Sequence, residues 1–357
     1  MIPEAWITWI MDVLVYFAVY LIVVVSLNLQ YGYTGIPNFG LALSVAGGAY
    51  VAGSLAGRIA MWYYGIGEGL DFIRDNSFIT SMLNERLAHD PVGGIILFLA
   101  LIGISSVINA GLGFIASYPA IRLRADYLIM TLIAMAEAIR VIGINYYPLV
   151  GGTFWVHVPD YFAWTGDMRR IVITGLIFGI ALIMFFIVQI FATSPLGRLI
   201  RAIRENEVSA ECLGKDVTKM RTKIIVLGAV IASFAGVLFS FYTQVVLSAA
   251  YTRTDWTFWP WLMLMVGGKG NNIGSLVGTF AVVIARRLII RYKHEFQPYI
   301  PFSVIWLEQI MLGLTLILIM AFRPQGLIPE KPIKVRGIKD YKKIYEKVKM
   351  KLSRIQQ

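Results

Sequence analysis

Four charged side chains stand inside stretches that are otherwise apolar: Asp12, Glu137, Arg140 and Glu308. Near a bilayer centre each costs about 2.5–3.5 kcal/mol on insertion scales. Glu137 and Arg140 are three residues apart, so a helix puts them on one face, and the chemistry expected of them is an intramembrane ion pair. A proton relay would need more facing carboxylates than these. Asp12 and Glu308 either partner something the sequence does not reveal or lie near the interface.

Other chemistry is poorly supplied. His89, His157 and His294 lack the spacing of metal ligands, and Cys212 is the sole cysteine. No Ser-centred nucleophile motif is present. Gly214-Lys215 and Gly268-Lys269 are followed by Asp216 and Gly270, where a phosphate loop carries the Ser or Thr that holds magnesium. The expectation is no catalytic residue, no metal and no cofactor bound by this chain. If ATP drives it, another chain binds the nucleotide and its magnesium.

The segment 193–223 is the most informative polar stretch. It opens on Thr193-Ser194-Pro195, a cap residue before a proline, which is a helix-start signal. Arg198, Arg201 and Arg204 follow at intervals of three and can line one helix face, with Glu205, Glu207 and Ala210 after them and Gly214 placed as a terminator. One capped amphipathic helix of this length between two spans is suited to being gripped by another protein. The alternative is a loop whose charge only fixes topology.

These residues need a membrane body to position them. The chain has 357 residues, 58% hydrophobic and 15% charged, with a mean hydropathy of +0.70. Soluble domains carry about 25% charged residues, so the natural solvent is a bilayer. The predicted fold class is an all-α integral membrane protein with about nine spanning helices, near 6–30, 37–57, 92–117, 126–146, 171–192, 224–247, 256–268, 273–290 and 302–322. Residues 1–330 form the transmembrane domain and 331–357 a basic tail. The first apolar stretch reads as a spanning helix rather than a cleaved leader.

Basic residues concentrate in 193–223, at Arg122 and Arg124, and in the tail, which places these on the cytoplasmic side and the N-terminus outside. Arg286, Arg287, Arg291 and Lys293 run against that scheme unless they snorkel to the outer interface. The net charge of +11 sits largely behind a membrane body, so anionic lipid is the expected partner and nucleic acid is not. The tail either lies on that lipid or is solvated. Outer segments rich in Trp62, Tyr63, Tyr64, Trp155, Tyr161 and Trp164 read as an interfacial belt or as a docking face. Gly53 and Gly57, like Gly274 and Gly278, have the spacing of close helix packing. The second span, with Asn38, Gly40, Gly47 and Gly48, reads as a kinked helix lining a path, or as a packing helix. A bulky residue at Gly47 is expected to block such a path.

Four stretches together resemble the LivM-like permease subunits of ABC importers for branched-chain amino acids. They are Ser26-Leu27-Asn28-Leu29 with Gly32-Tyr33-Thr34-Gly35 and Gly40; Arg122-Leu123-Arg124-Ala125-Asp126-Tyr127-Leu128 through Glu137 and Arg140; the 194–214 segment; and Gly267 to Asn272 with Gly274, Gly278 and Arg323-Pro324-Gln325-Gly326-Leu327. The resemblance implies ATP-driven import of branched-chain or related amino acids. Its partners would be a second permease subunit in a heterodimer, two cytoplasmic ATPase subunits and an extracytoplasmic substrate-binding protein. It makes 198–214 the ATPase-coupling helix, with Glu207, Ala210 and Gly214 near the family's loop motif and Ser209 departing from it. Asn38 and Leu41 depart where many relatives have serine and histidine, which bears on the substrate. The rival reading is a stand-alone ion-coupled transporter of amino acids or of amides such as urea.

Overall fold

The computed structural model describes residues 4–330 apart from 68, 124 and 297–303. The basic tail 331–357 and Arg124 lie outside the described residues. The elements are α1 (Glu4–Leu27), a π-turn (Asn28–Tyr33), α2 (Leu41–Tyr64), α3 (Asn76–Leu87), α4 (Pro91–Arg122), α5 (Ala125–Asn145) and α6 (Tyr147–Val150). There follow β1 (Val156–His157), α7 (Arg169–Thr193), α8 (Pro195–Glu205), α9 (Glu207–Cys212), α10 (Val217–Thr243) and β2 (Val245–Val246). The chain continues through a second π-turn (Thr254–Phe258), α11 (Trp259–Gly267), α12 (Asn272–Arg291), α13 (Lys293–Phe296) and α14 (Val304–Phe322).

Among the described residues, six helical segments are long and apolar enough to cross a membrane: Trp6–Tyr33, Pro91–Arg122, Asp126–Asn145, Ala163–Thr193, Val217–Thr243 and Asn272–Arg291. The other three expected spans are helical but differ from that pattern for separate reasons. Helix α2 is 24 residues long, yet Gly, Ala and Ser dilute its hydropathy. It is wrapped by α4, α5 and α10 and is buried along nearly its whole length. A helix that touches protein instead of lipid needs small residues for close approach more than it needs greasy ones. Helix α11 has nine residues behind its π-turn. Helix α14 has 19 residues, Val304–Phe322, and begins next to residues outside the described ones.

Helix ends follow local chemistry. Asp90 caps α4 ahead of Pro91, its Oδ1 accepting from Gly93 N at 2.9 Å, and Asp216 caps α10 through Lys219 N at 2.9 Å. Helix α2 starts at Leu41, later than expected. Residues 35–40 stay non-helical, and the Asn38 side chain turns back to accept from Gly40 N at 2.7 Å. Gly65 ends α2 in the left-handed region, φ 61°.

The polar segments between helices sort onto two faces. On one, Asn76 exchanges hydrogen bonds with the His157 backbone at 3.1 and 2.7 Å. There too, Asn84 accepts from Asp160 N at 2.8 Å, and β1 pairs antiparallel with β2. Helix α3 and this ribbon make a small ordered cap that the aromatic content alone does not reveal. Tyr161 belongs to its core, donating to Ala56 O at 2.7 Å, and so is no belt or docking residue. Trp62 and Trp155 are exposed. The opposite face carries the π-turn of α1, α8, α9, residues 268–271 and residues 325–330.

The glycines of α2 are packing seats. A side chain at Gly47 would collide with Asn109 of α4, and one at Gly48 with the Ser233 backbone of α10. Gly236 of α10 stands reciprocally against Val45 and Ala49. Gly57 admits Phe72 of the cap, whereas Gly274 and Gly278 bring α12 against the α11 backbone. Gly48→Ala and Gly236→Ala are expected to lower stability by about 1–3 kcal/mol each through overpacking. This is read as a drop in the thermal unfolding midpoint in detergent.

Candidate functional site

The α8–α9 pair begins where the sequence indicates: Ser194 Oγ accepts from Gly197 N at 3.3 Å. The single helix expected over 198–214 is instead broken at Asn206. That residue is extended (φ −157°, ψ 108°) and caps a second helix by accepting from Ser209 N at 2.9 Å. Asn satisfies its backbone locally better outside a helix than within one, so the chain turns there. Gly214, at φ 72°, closes α9. Its N–H reaches Glu211 O and that of Lys215 reaches Ala210 O, at 2.8 and 3.1 Å, the paired bonds of a glycine C-terminal cap.

The three arginines do not share a function. Arg198 is exposed. Arg201 and Arg204 turn into the protein, where Glu330 lies 3.3 Å from Arg201 Nε and 2.9 Å from Arg204 Nη2. Arg204 also donates to Gly32 O, and the Arg201 guanidinium lies 4.9 Å from the Tyr33 ring centre. Ile203 and Ala210 are buried with Val217 in a small core of their own. Glu207 pairs with Arg221 of α10. What remains outward is Arg198, Glu205 and Gly214, with two large apolar side chains, Val208 at 69% and Leu213 at 77% exposure. Beside Glu207 and Arg221 an open groove of about 420 Å³ runs past Gly35, Pro37, Leu123 and Leu128.

Beneath the pair lies a column of buried amides. Widening of α1 into a π-turn carries Asn28 to Asn272 Oδ1 at 2.7 Å and to Gly270 N at 2.9 Å. Asn272 in turn donates to Gln189 Oε1 at 2.8 Å. Two residues on, Gln30 Oε1 accepts from Asn38 at 2.7 Å, Gln30 Nε2 reaches Ser26 Oγ at 3.1 Å, and Ser26 donates to Gly228 O at 2.7 Å. Asn38 is thus buried in the connector before α2, and Gly40 seats Leu132 of α5. Sequence reasoning assigned no role to Asn28, Gln30, Gln189 or Asn272. The available signal was amides inside apolar runs, where only a buried partner makes them tolerable.

All four intramembrane charges have partners. Glu137 accepts from Arg140 Nε at 3.0 Å, and the side chains remain 32% and 26% exposed on α5. Asp12 accepts from Tyr242. Glu308 pairs with Arg286, which also meets Asp255 at 2.7 Å and donates to Tyr20 Oη at 2.6 Å. Arg287 stacks on Tyr16, and Arg291 lies 4.0 Å from the Trp6 ring centre. Arg286, Arg287 and Arg291 are therefore held against protein groups, whereas Lys293 is exposed, and Arg286 does not snorkel.

The helices define a multi-pass membrane protein. Residues 9–320 match the family model for the permease component of the branched-chain amino acid transport system, and the chain belongs to that family. It is 40% identical over 338 residues to the "Probable branched-chain amino acid transport permease protein LivM" of Methanocaldococcus jannaschii, covering 94% of this chain and 96% of the relative. It is 23% identical to the "High-affinity branched-chain amino acid transport system permease protein LivM" of Salmonella typhimurium, covering 87% of this chain and 68% of that one. The same figures hold for its namesake in Escherichia coli. No solved structure matches the chain.

Arg286→Ala is expected to cost about 3–5 kcal/mol, because it leaves Asp255 and Glu308 without their shared cation. The loss should appear as reduced folded yield and early thermal aggregation.

Proposed function

We propose that this chain is the transmembrane subunit of an ABC importer for branched-chain or related amino acids, working by ATP-driven alternating access. The observation that carries the reading is the outward face of α8–α9. A helix pair capped at both starts and closed by Gly214 holds Val208 and Leu213 in the open. Large apolar groups beside charged ones on a rigid projection suit a protein partner. In this reading that partner is an ATPase subunit, which binds the ATP and magnesium, and the α8 face is cytoplasmic with the N-terminus outside.

The partly exposed Glu137–Arg140 pair supports a second permease subunit. An ion pair along a membrane helix faces protein or water in preference to lipid. The α5 surface bearing it is therefore where the partner subunit, or a path shared with it, belongs. The substrate class follows from the names of the relatives, and delivery by an extracytoplasmic binding protein follows from the importer reading. Ion-coupled transport is less well supported, since Asp12, Glu137 and Glu308 each already hold a partner.

The test is co-purification from the host with a tag on this chain. ATPase chains should accompany the wild type and be lost from Val208→Asp/Leu213→Asp, whose changes are exposed and spare the fold. Retention of the ATPases by the double variant, or their absence from the wild type, would refute the reading.

A further inference from the structure

The motif Arg323-Pro324-Gln325-Gly326-Leu327 has no part in the site as described so far, yet the segment that contains it is the element that holds α8. The chain leaves α14 with Arg323 N bonded to Ile319 O at 2.8 Å and turns at Gly326, φ 73°. It then runs along the α11–α12 junction. Leu327 N bonds Val266 O at 2.8 Å, Ile328 N bonds Gly267 O at 2.9 Å, and Asn271 Nδ2 donates to Pro329 O at 3.2 Å. There is no room for side chains along this track. A Cβ on Gly268 would strike Ile328 O, and one on Gly270 would lie 2.7 Å from the Glu330 carboxylate. Glu330 ends the run between Arg201 and Arg204.

Three elements distant in sequence therefore meet at one carboxylate. Helix α8 contributes both arginines. The π-turn of α1 contributes Gly32 O and Tyr33, which receive the same arginines. The α11–α12 junction contributes the groups to which the Glu330 segment is bonded and the Gly270 N–H that binds Asn28. Without Glu330 the two guanidiniums, one helical turn apart, would repel each other. One carboxylate within salt-bridge distance of both offsets that repulsion and draws them to the same point.

We propose that residues 323–330 are a strap that transmits displacement of α8 to the α11–α12 junction and the π-turn of α1, with Glu330 as the positioning residue that clamps Arg201 and Arg204. The proposal rests on α8–α9 being the ATPase-gripped element and adds how its movement reaches the buried amide column.

The experiment uses the complete complex in proteoliposomes, with ATP hydrolysis and leucine uptake measured on the same sample. The variants are Glu330→Gln, Glu330→Asp and the charge exchange Glu330→Arg with Arg204→Glu. Glu330→Gln should keep its ATPase partners and their basal hydrolysis, while uptake per ATP falls about tenfold, the scale of a coupling free energy between sites. Glu330→Asp and the charge exchange should recover part of that loss. An unchanged ratio of uptake to hydrolysis in Glu330→Gln would overturn the proposal. So would loss of the ATPases from that variant, since the strap would then only support the docking surface. Absence of ATPases from the wild-type complex would instead remove the importer reading beneath it.

Discussion

Asn28 stands where α1 opens into its π-turn, and its side chain bonds a residue 244 positions away. In hydrocarbon an amide has no water to fall back on, so its partners must come from the protein. That requirement ties α1 to the 267–272 junction through Gly270 and Asn272, and Asn272 ties both to α7 through Gln189. Gln30, Asn38 and Ser26 extend the constraint to α10. The close approach of these elements, and hence the seat of α8 on the π-turn, depends on this column being fully paired.

The same rule governs the charges. Arg286 is tolerated within a spanning helix because two carboxylates and a tyrosine hydroxyl surround it. Arg201 and Arg204 are tolerated partly buried because Glu330 reaches them. Where a pair stays partly exposed, as Glu137 and Arg140 do, the surface suits protein or water in preference to lipid. The apolar stripes of α4, with Leu99, Val107 and Phe114 exposed, carry no such requirement and suit lipid.

Much of this was legible in the sequence, and the rest was lost for identifiable reasons. Helical runs follow from apolar length, and the ends of the 194–214 segment from Ser194 and Gly214, because caps act over a few residues. The central placement of α2 was not legible, since its small residues suit a packing surface and also a path. Gly47 and Gly48 take the packing role, set by Asn109 and Ser233 on other helices. The inward turn of Arg201 and Arg204 could not be read from a spacing of three, because Glu330 lies over a hundred residues away. The break at Asn206 was in principle readable, as an asparagine followed three residues on by an amide to cap, but the arginine periodicity pointed to one continuous helix.

The central claim is that the projecting α8–α9 face docks an ATPase chain. A photo-crosslinking residue at Leu213, illuminated in membranes of the host, tests this most directly, with the same probe at Trp155 on the opposite face for comparison. The account predicts an adduct with an ATPase subunit from position 213 and none with that subunit from 155. Adducts from 213 with lipid alone, in membranes that still import the amino acid, would contradict it.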